Sequence, residues 1–473
     1  MALQHYYNGN FAEAEQVCRQ ILQQQPDQVE ALQILGVALC SVGQAVAAIP
    51  FLQRVVQLQP DAAEAWGNLG TALQEQGCYE DAIAHFNRAI ALKPDYAEAH
   101  YNLALVLQKQ DRLEDALFHS QQTIALKPEF VDAYYNQGFL LRRLGRLEEA
   151  IAHYRTATQL APNSAGAHKN LGHALLLTGA LQQGFQEYEW RWRQPGWAPR
   201  LFAQPLWDGS PLIGRTILLH AEQGFGDTIQ FIRYAALVRD RGGRVIVECQ
   251  PSLLRLLETA AGIDQLIAQG APLPDFDVHA PLLSLPHLCS TTLETIPAPV
   301  AYLSPPVDHP LRLKVPPGTR LKVGIAWTGN PDHKNNRYRS CAIEQFRALC
   351  QLPGIAFFSL QKGAPEADLQ ALAELPIQSL SASLDDFTAT AAAIAQLDLV
   401  ITIDTAVAHL AGALGKPVWL LLSVAPDWRW LLERDDSPWY PTMRLFRQRQ
   451  RGSWQGVFER VAAELALWVE RQT

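Results

Sequence analysis

Apolar residues keep two different rhythms along this chain. Over residues 1–192 they follow a helical pattern, with small residues returning at fixed slots between them. From Thr216 onward, short β-branched and apolar runs alternate with helical stretches. The runs at 216–220, 244–249, 321–327, 356–360 and 400–403 read as strands, and Val418 to Leu422 as another. Residues 228–241, the stretch opened by Asp385-Asp386-Phe387, the residues between Asp404 and Gly415, and residues 453–471 read as helices. Strands without polar alternation are covered on both faces, which implies parallel sheets flanked by helices. The expected fold class is therefore α plus α/β, an all-α array followed by two α/β halves.

The array is a repeat. Pro26, Pro60, Pro94, Pro128 and Pro162 recur every 34 residues. Gly36, Gly70, Ala104, Gly138 and Gly172 share one slot, and Ala14, Ala48, Ala82, Ala116 and Ala150 another. Side chains this small let two helices approach closely. The unit Ala63-Glu-Ala-Trp66-Gly-Asn68-Leu69-Gly70, followed by Tyr79, Ala82, Phe86, Ala89 and Pro94, resembles the tetratricopeptide repeat. Four complete units follow a first that lacks its opening helix; a sixth begins at Ala165 and drifts after Gly184 into Tyr188-Glu-Trp190-Arg-Trp192. A helix pair of this kind buries its apolar face only against the next pair, so a solenoid with a concave face is expected. The resemblance implies a superhelix whose groove holds peptides. Asn68, Asn102, Asn136 and Asn170 recur at one slot, either as hydrogen-bonding groups of that groove or as consensus filler.

Composition narrows the class. A chain of 473 residues suggests about three domains, and its 48% hydrophobic content contains no apolar run near the ~20 residues of a membrane span. The opening residues lack the layout of a secretory leader, which predicts a cytoplasmic protein. Seven cysteines without a CxxC pair argue against a zinc ribbon or a disulfide frame. A net charge of -8 gives no general pull toward nucleic acid. Trp190, Trp192, Trp197 and Trp207, set among Arg191, Arg193 and Arg200, read as a packed junction whose tryptophans are buried. The prolines from Pro305 to Pro317 read as a linker between the α/β halves.

Candidate chemistry lies at the strand-to-helix turns, where open α/β sheets bind ligands. The first turn is His220-Ala221-Glu222-Gln223-Gly224-Phe225-Gly226-Asp227-Thr228. A dinucleotide fingerprint requires a third glycine where Ile229 stands, so that reading fails. Asp227 is either a helix cap or a general base, with His220 and Glu222 as rivals for the second role. In the second half, Thr328, Asn330, Lys334, Arg337 and Arg339 lie in one polar loop, and Gln361 ends the next strand. These residues suit a diphosphate, by charge-assisted and neutral hydrogen bonds. Asp404 or Thr405 caps the following helix, whose free amides beside Thr405 and Ala406 favour a phosphate. The triplet Asp275-Phe276-Asp277 is read as incidental, and no metal site is expected.

Two α/β halves, a glycine-containing Gly-Asp loop in the first, and Asp404-Thr405-Ala406-Val-Ala-His409 followed by Gly415-Lys416-Pro417 in the second resemble the lipopolysaccharide heptosyltransferase family over residues 210–445. That resemblance implies the two-Rossmann GT-B architecture, a nucleotide-sugar diphosphate at Asp404, Thr405 and Ala406, and Asp227 near the acceptor hydroxyl. The family often carries glycine where this chain has Ala406. Repeats joined to such a half are also similar in architecture to the O-linked N-acetylglucosamine transferases, with Asn330 and Lys334 at positions resembling that family's sugar-donor site. The implied organisation is a solenoid over 1–192, an acceptor-side Rossmann-like domain over 193–310, a nucleotide-sugar domain over 311–450 and a C-terminal helix over 451–473, able to cross back onto the first sheet.

The expected function is metal-independent, cofactor-free transfer of a sugar from a nucleoside diphosphate to an acceptor, with a protein or peptide presented by the repeats. Asp227 and His220 are the catalytic candidates. Thr328, Asn330, Lys334, Arg337, Gln361, Asp404, Thr405, Ala406 and His409 are the sugar-donor side, and Glu222, Gln223, Gly224 and Gly226 the acceptor-side loop. No nucleic acid and no membrane span are expected. The competing reading is a peptide-binding scaffold whose α/β half has lost turnover.

Overall fold

The computed structural model describes residues 1–194, 196–197, 199–331 and 336–471. It divides into two compact units, Met1–Ala174 and Leu175–Thr473.

The first unit is a tetratricopeptide solenoid of helix pairs such as Ala63–Gln76 with Tyr79–Leu92, and Val131–Arg143 with Leu147–Leu160. Its repeat slot is filled by size matching. A methyl group on Gly70 would stand 2.8 Å from Phe86, and one on Gly138 would stand 2.7 Å from Tyr154. Where the slot holds Ala104, the register position that faces it in other units holds Ser120, which is fully buried. The opening helix missing from the sequence reading exists as a short Ala2–Tyr7 turn of helix. Asn102 and Asn170 reach back across repeats, to the Thr71 hydroxyl at 3.4 Å and the Tyr135 hydroxyl at 3.0 Å.

The second unit contains two parallel sheets. The first joins β1 (Thr216–His220), β2 (Arg244–Cys249), β3 (Gln265–Ala268) and β4 (Val278–Pro281) in the order β3-β2-β1-β4. The second joins β5 (Leu321–Ala326), β6 (Ile355–Ser359), β7 (Ile377–Ser379), β8 (Leu399–Ile403), β9 (Val418–Leu422) and β10 (Met443–Arg447) in the order β10-β9-β8-β5-β6-β7. Both are Rossmann-like, and in each the strand order reverses beside the first strand. The crevices that such reversals open lie outside the carboxyl ends of β1 and β4, and of β5 and β8.

Three local expectations change. The helix read at 228–241 begins earlier, as Phe225–Phe231, and then breaks into a 3-10 turn and the short Ala235–Arg239 helix. At the junction only Trp207 is buried among the four tryptophans, and Trp197 keeps 39% of its exposure. The buried group there is Arg191, whose guanidinium pairs with Glu189 and Glu222 and donates to the Ser284 hydroxyl at 2.8 Å. The C-terminal helix Gln455–Arg471 stays with the second sheet: Val457, Phe458, Val461 and Leu465 share a core with Val323, Ile401, Trp419 and Phe446. Among the described residues, no helix is long and apolar enough to cross a membrane.

Candidate functional site

Every residue of β8 is buried, so its apolar run is fixed from both faces and its carboxyl end delivers Asp404 and Thr405 to the reversal point beside β5. Thr405 is the N-cap of the Ala406–Ala413 helix, although its hydroxyl lies 3.4 Å from Thr402 instead of capping an amide. That helix stops at Gly415, which takes φ +69. On the other sheet, β1 runs through residues 221–223 into the Phe225–Phe231 helix. Gly224 is its N-cap, and Asp227 sits in its first turn with Oδ2 accepting from the Gly224 amide at 3.0 Å. Asp227 thus closes a capping interaction from inside the helix, not from its first position.

The two helices touch at their starts. A methyl on Gly226 would stand 2.8 Å from Cδ2 of His409 and 3.7 Å from Cα of Ala406, so only glycine allows this approach. His409 is buried between partners: its Nδ1 lies 2.8 Å from the Tyr440 hydroxyl, its ring stacks on Trp430, and Nε2 is 3.9 Å from Asp404. Burial, reinforced by Arg429, holds its imidazole neutral, well below the usual histidine range. Asp227 and Asp404 keep 19% and 17% of their side-chain exposure, enough to meet a ligand.

Arg429, on the loop after β9, joins the halves. Its Nη2 donates to Asp227 Oδ1, its Nη1 to Asp427 Oδ1 at 2.8 Å, and its Nε to Gln230 Oε1. Burial raises the Asp227 carboxyl while Arg429 opposes the shift. Burial and the neighbouring Asp427 push Asp404 up to about 6, against Arg339 and Arg429. Arg233 makes a second joint: it donates to the carbonyls of Trp439 at 2.6 Å and Pro297 at 3.2 Å and to the Tyr302 hydroxyl at 2.9 Å.

The polar loop after β5 is tied down at both ends. Gln361 Oε1 accepts from the amides of Trp327 and Thr328, each at 3.1 Å, and Asn336 Oδ1 from the Gly329 amide at 3.1 Å. The Thr328 hydroxyl lies 3.2 Å from Ser340. Asn330 is exposed. Arg337 is also exposed and lies over the Tyr338 ring, 4.5 Å from its centroid; of this loop's basic groups, Arg339 acts on Asp404, together with Arg429 from the loop after β9. Lys334 lies outside the described residues.

Two catalytic candidates are corrected. His220 is a core residue, 3.2 Å from His279 and packed on Phe202; burial and then His279 push it down to about 3. Glu222 holds the junction, accepting from Arg191 at 2.9 Å and from the Leu283 amide at 3.1 Å. Gln223 contributes its carbonyl to Gln250 Nε2 at 2.9 Å. Asp277 accepts from the Thr216 amide at 2.7 Å, which gives the Asp-Phe-Asp triplet a structural use. Arg429, Asp427 and Arg233 were missed. For Asp427 and Arg429 the available signal is an acid and a base interleaved with tryptophans, Asp427-Trp428-Arg429-Trp430, a few residues past a buried strand.

Tetratricopeptide repeat models match residues 5–73, 72–111, 120–152 and 138–179. The model described as glycosyltransferase family 9 (heptosyltransferase) matches residues 346–427, from the approach to β6 through the Asp404–His409 element to Asp427. The protein FlbA of Caulobacter vibrioides (strain ATCC 19089 / CIP 103742 / CB 15) is 27% identical over 293 residues, 55% of this chain and 48% of its own length. This chain therefore spans about half the length of that curated relative. A crystal structure of MamA is similar at 30% identity, covering 35% of this chain and 96% of its own, with a TM-score of 0.32. Pseudomonas aeruginosa PilF is similar at 21% identity, covering 41% of this chain and 89% of its own, with a TM-score of 0.38.

Proposed function

We propose that this chain is a glycosyltransferase of GT-B type that moves a sugar from a nucleoside diphosphate to an acceptor held between the two sheets. The observation that carries the reading is the approach of Gly226 to His409 and Ala406, which brings the turn that holds Asp227 to the start of the Ala406–Ala413 helix, with Asp227 bonded to Arg429. Asp227 takes the acceptor proton. Negative charge growing on the leaving diphosphate is met by the start of the Ala406–Ala413 helix and by Arg339, without a required metal. Lys334 supplies further positive charge against the diphosphate, and Thr328 and Asn330 orient the nucleotide. The repeats supply a protein or peptide acceptor. The test is a panel of nucleotide sugars against the full chain, read by melting temperature and by release of nucleoside diphosphate. A ligand bound to the folded form raises the transition. No shift and no release with any member would remove the reading.

A second reading, a scaffold without turnover, draws support from the Arg429 contact that already engages Asp227. Peptide capture by the repeats together with an inert nucleotide-sugar panel would favour it.

A further inference from the structure

One guanidinium serves three carboxylates. Arg429 is bonded to Asp227 and Asp427, and Asp404 adds to the field that keeps it charged. It is 7% exposed and lies over Trp428, 4.4 Å from the ring centroid. An ion pair of this kind favours the ionised carboxylate and occupies an oxygen that a general base must use. The joint between the sheets has a second tie: Arg233, in the 3-10 turn after the Phe225–Phe231 helix, donates to the Gln230 carbonyl at 2.8 Å and also to Trp439, Pro297 and Tyr302. The planar fork of an arginine binds phosphate oxygens at least as well as carboxylate, and can turn from one to the other.

We propose that Arg429 is a positioning residue that exchanges partners: it clamps Asp227 in the arrangement seen here and passes that hydrogen bond to the diphosphate of an arriving nucleotide sugar, which frees Asp227 to act as base. This inference rests on the glycosyltransferase reading. In the step that follows, the acceptor oxygen bonds to the anomeric carbon and its proton goes to Asp227. The bond from that carbon to the phosphate oxygen breaks, and its electron pair leaves on the diphosphate, now beside Arg429. An acceptor that arrives first meets a carboxylate already paired, so order is imposed on the two substrates.

Calorimetric titration of the full chain with inorganic pyrophosphate tests the exchange. Asp227→Asn removes the competing charge and is expected to tighten pyrophosphate binding about threefold or more, whereas Arg429→Gln weakens it about tenfold. In the Arg429→Gln background the Asp227→Asn gain should vanish, a coupling that two merely structural residues would not show. Arg429→Lys should recover part of the affinity, and it carries the test with Asp227→Asn where Arg429→Gln does not fold. An unchanged or weakened affinity in Asp227→Asn, or the same gain without Arg429, overturns the exchange and leaves the glycosyltransferase reading standing. Absence of pyrophosphate binding overturns the exchange as well, and the nucleotide-sugar panel then decides whether the wider reading falls with it.

Discussion

Gly226 carries a steric requirement where the two helix starts meet, since a methyl there stands 2.8 Å from His409. Gly226→Ala should cost about 1–3 kcal/mol through overpacking, read as a lower denaturation midpoint, and should lower turnover by moving Asp227 from Arg429. Asp227→Asn should depress kcat by roughly 10²- to 10⁴-fold without weakening sugar-donor binding, and parallel losses in both would reduce Asp227 to a cap. Asp404 makes a pH prediction. Its folded carboxyl is pushed up to about 6 from 3.8, so the folded chain holds a proton that the unfolded chain has released. The stability it contributes is complete below about pH 4 and is lost as pH rises through about 6. Urea unfolding of Asp404→Asn across that window should show a flatter dependence than the native chain. At this scale the positions of Asp227, Asp404 and Thr405 at a strand end or a helix start are legible in the sequence, because short apolar runs and turn residues mark those points. It misassigned His220 and Glu222, which share the same turn: one packs on His279, the other on Arg191, and both partners are distant in sequence.

Elements were more legible. β1, β2 and β8 are legible from their apolar centres, residues 217–219, 245–247 and 399–401, each buried on both faces. The solenoid pairs follow from small residues facing large ones. Ser120→Phe should therefore destabilise the unit that carries Ala104 by about 1–3 kcal/mol, and adding Ala104→Gly should restore part of the loss, as the Gly70–Phe86 contact does. Equal destabilisation with and without the second change would remove the size-matching account. Arg191→Met leaves Glu189 and Glu222 without their cation and should cost about 3–5 kcal/mol, measured by chemical denaturation. The C-terminal helix shows the limit of element-level reading. Its apolar stripe was visible, but amphipathic spacing fits any apolar surface, and only the packed core shows that Trp419 and Phe446 receive it.

For the whole molecule, removal of residues 1–162 should spare sugar-donor binding and reduce turnover on a protein acceptor, with short acceptors unaffected. Equal loss on both acceptors would separate the repeats from substrate supply. The sequence by itself determined the solenoid, the two parallel sheets and the strand-to-helix turns at their edges, because helical period, buried runs and glycine positions act over a few residues. Tertiary structure alone decided which side chains face each other across those turns. Asp227 and Arg429 are 202 residues apart, and no local rule constrains such a pair. The order of strands and the close approach that Gly226 permits bring them together, and the direction of each side chain follows from that packing.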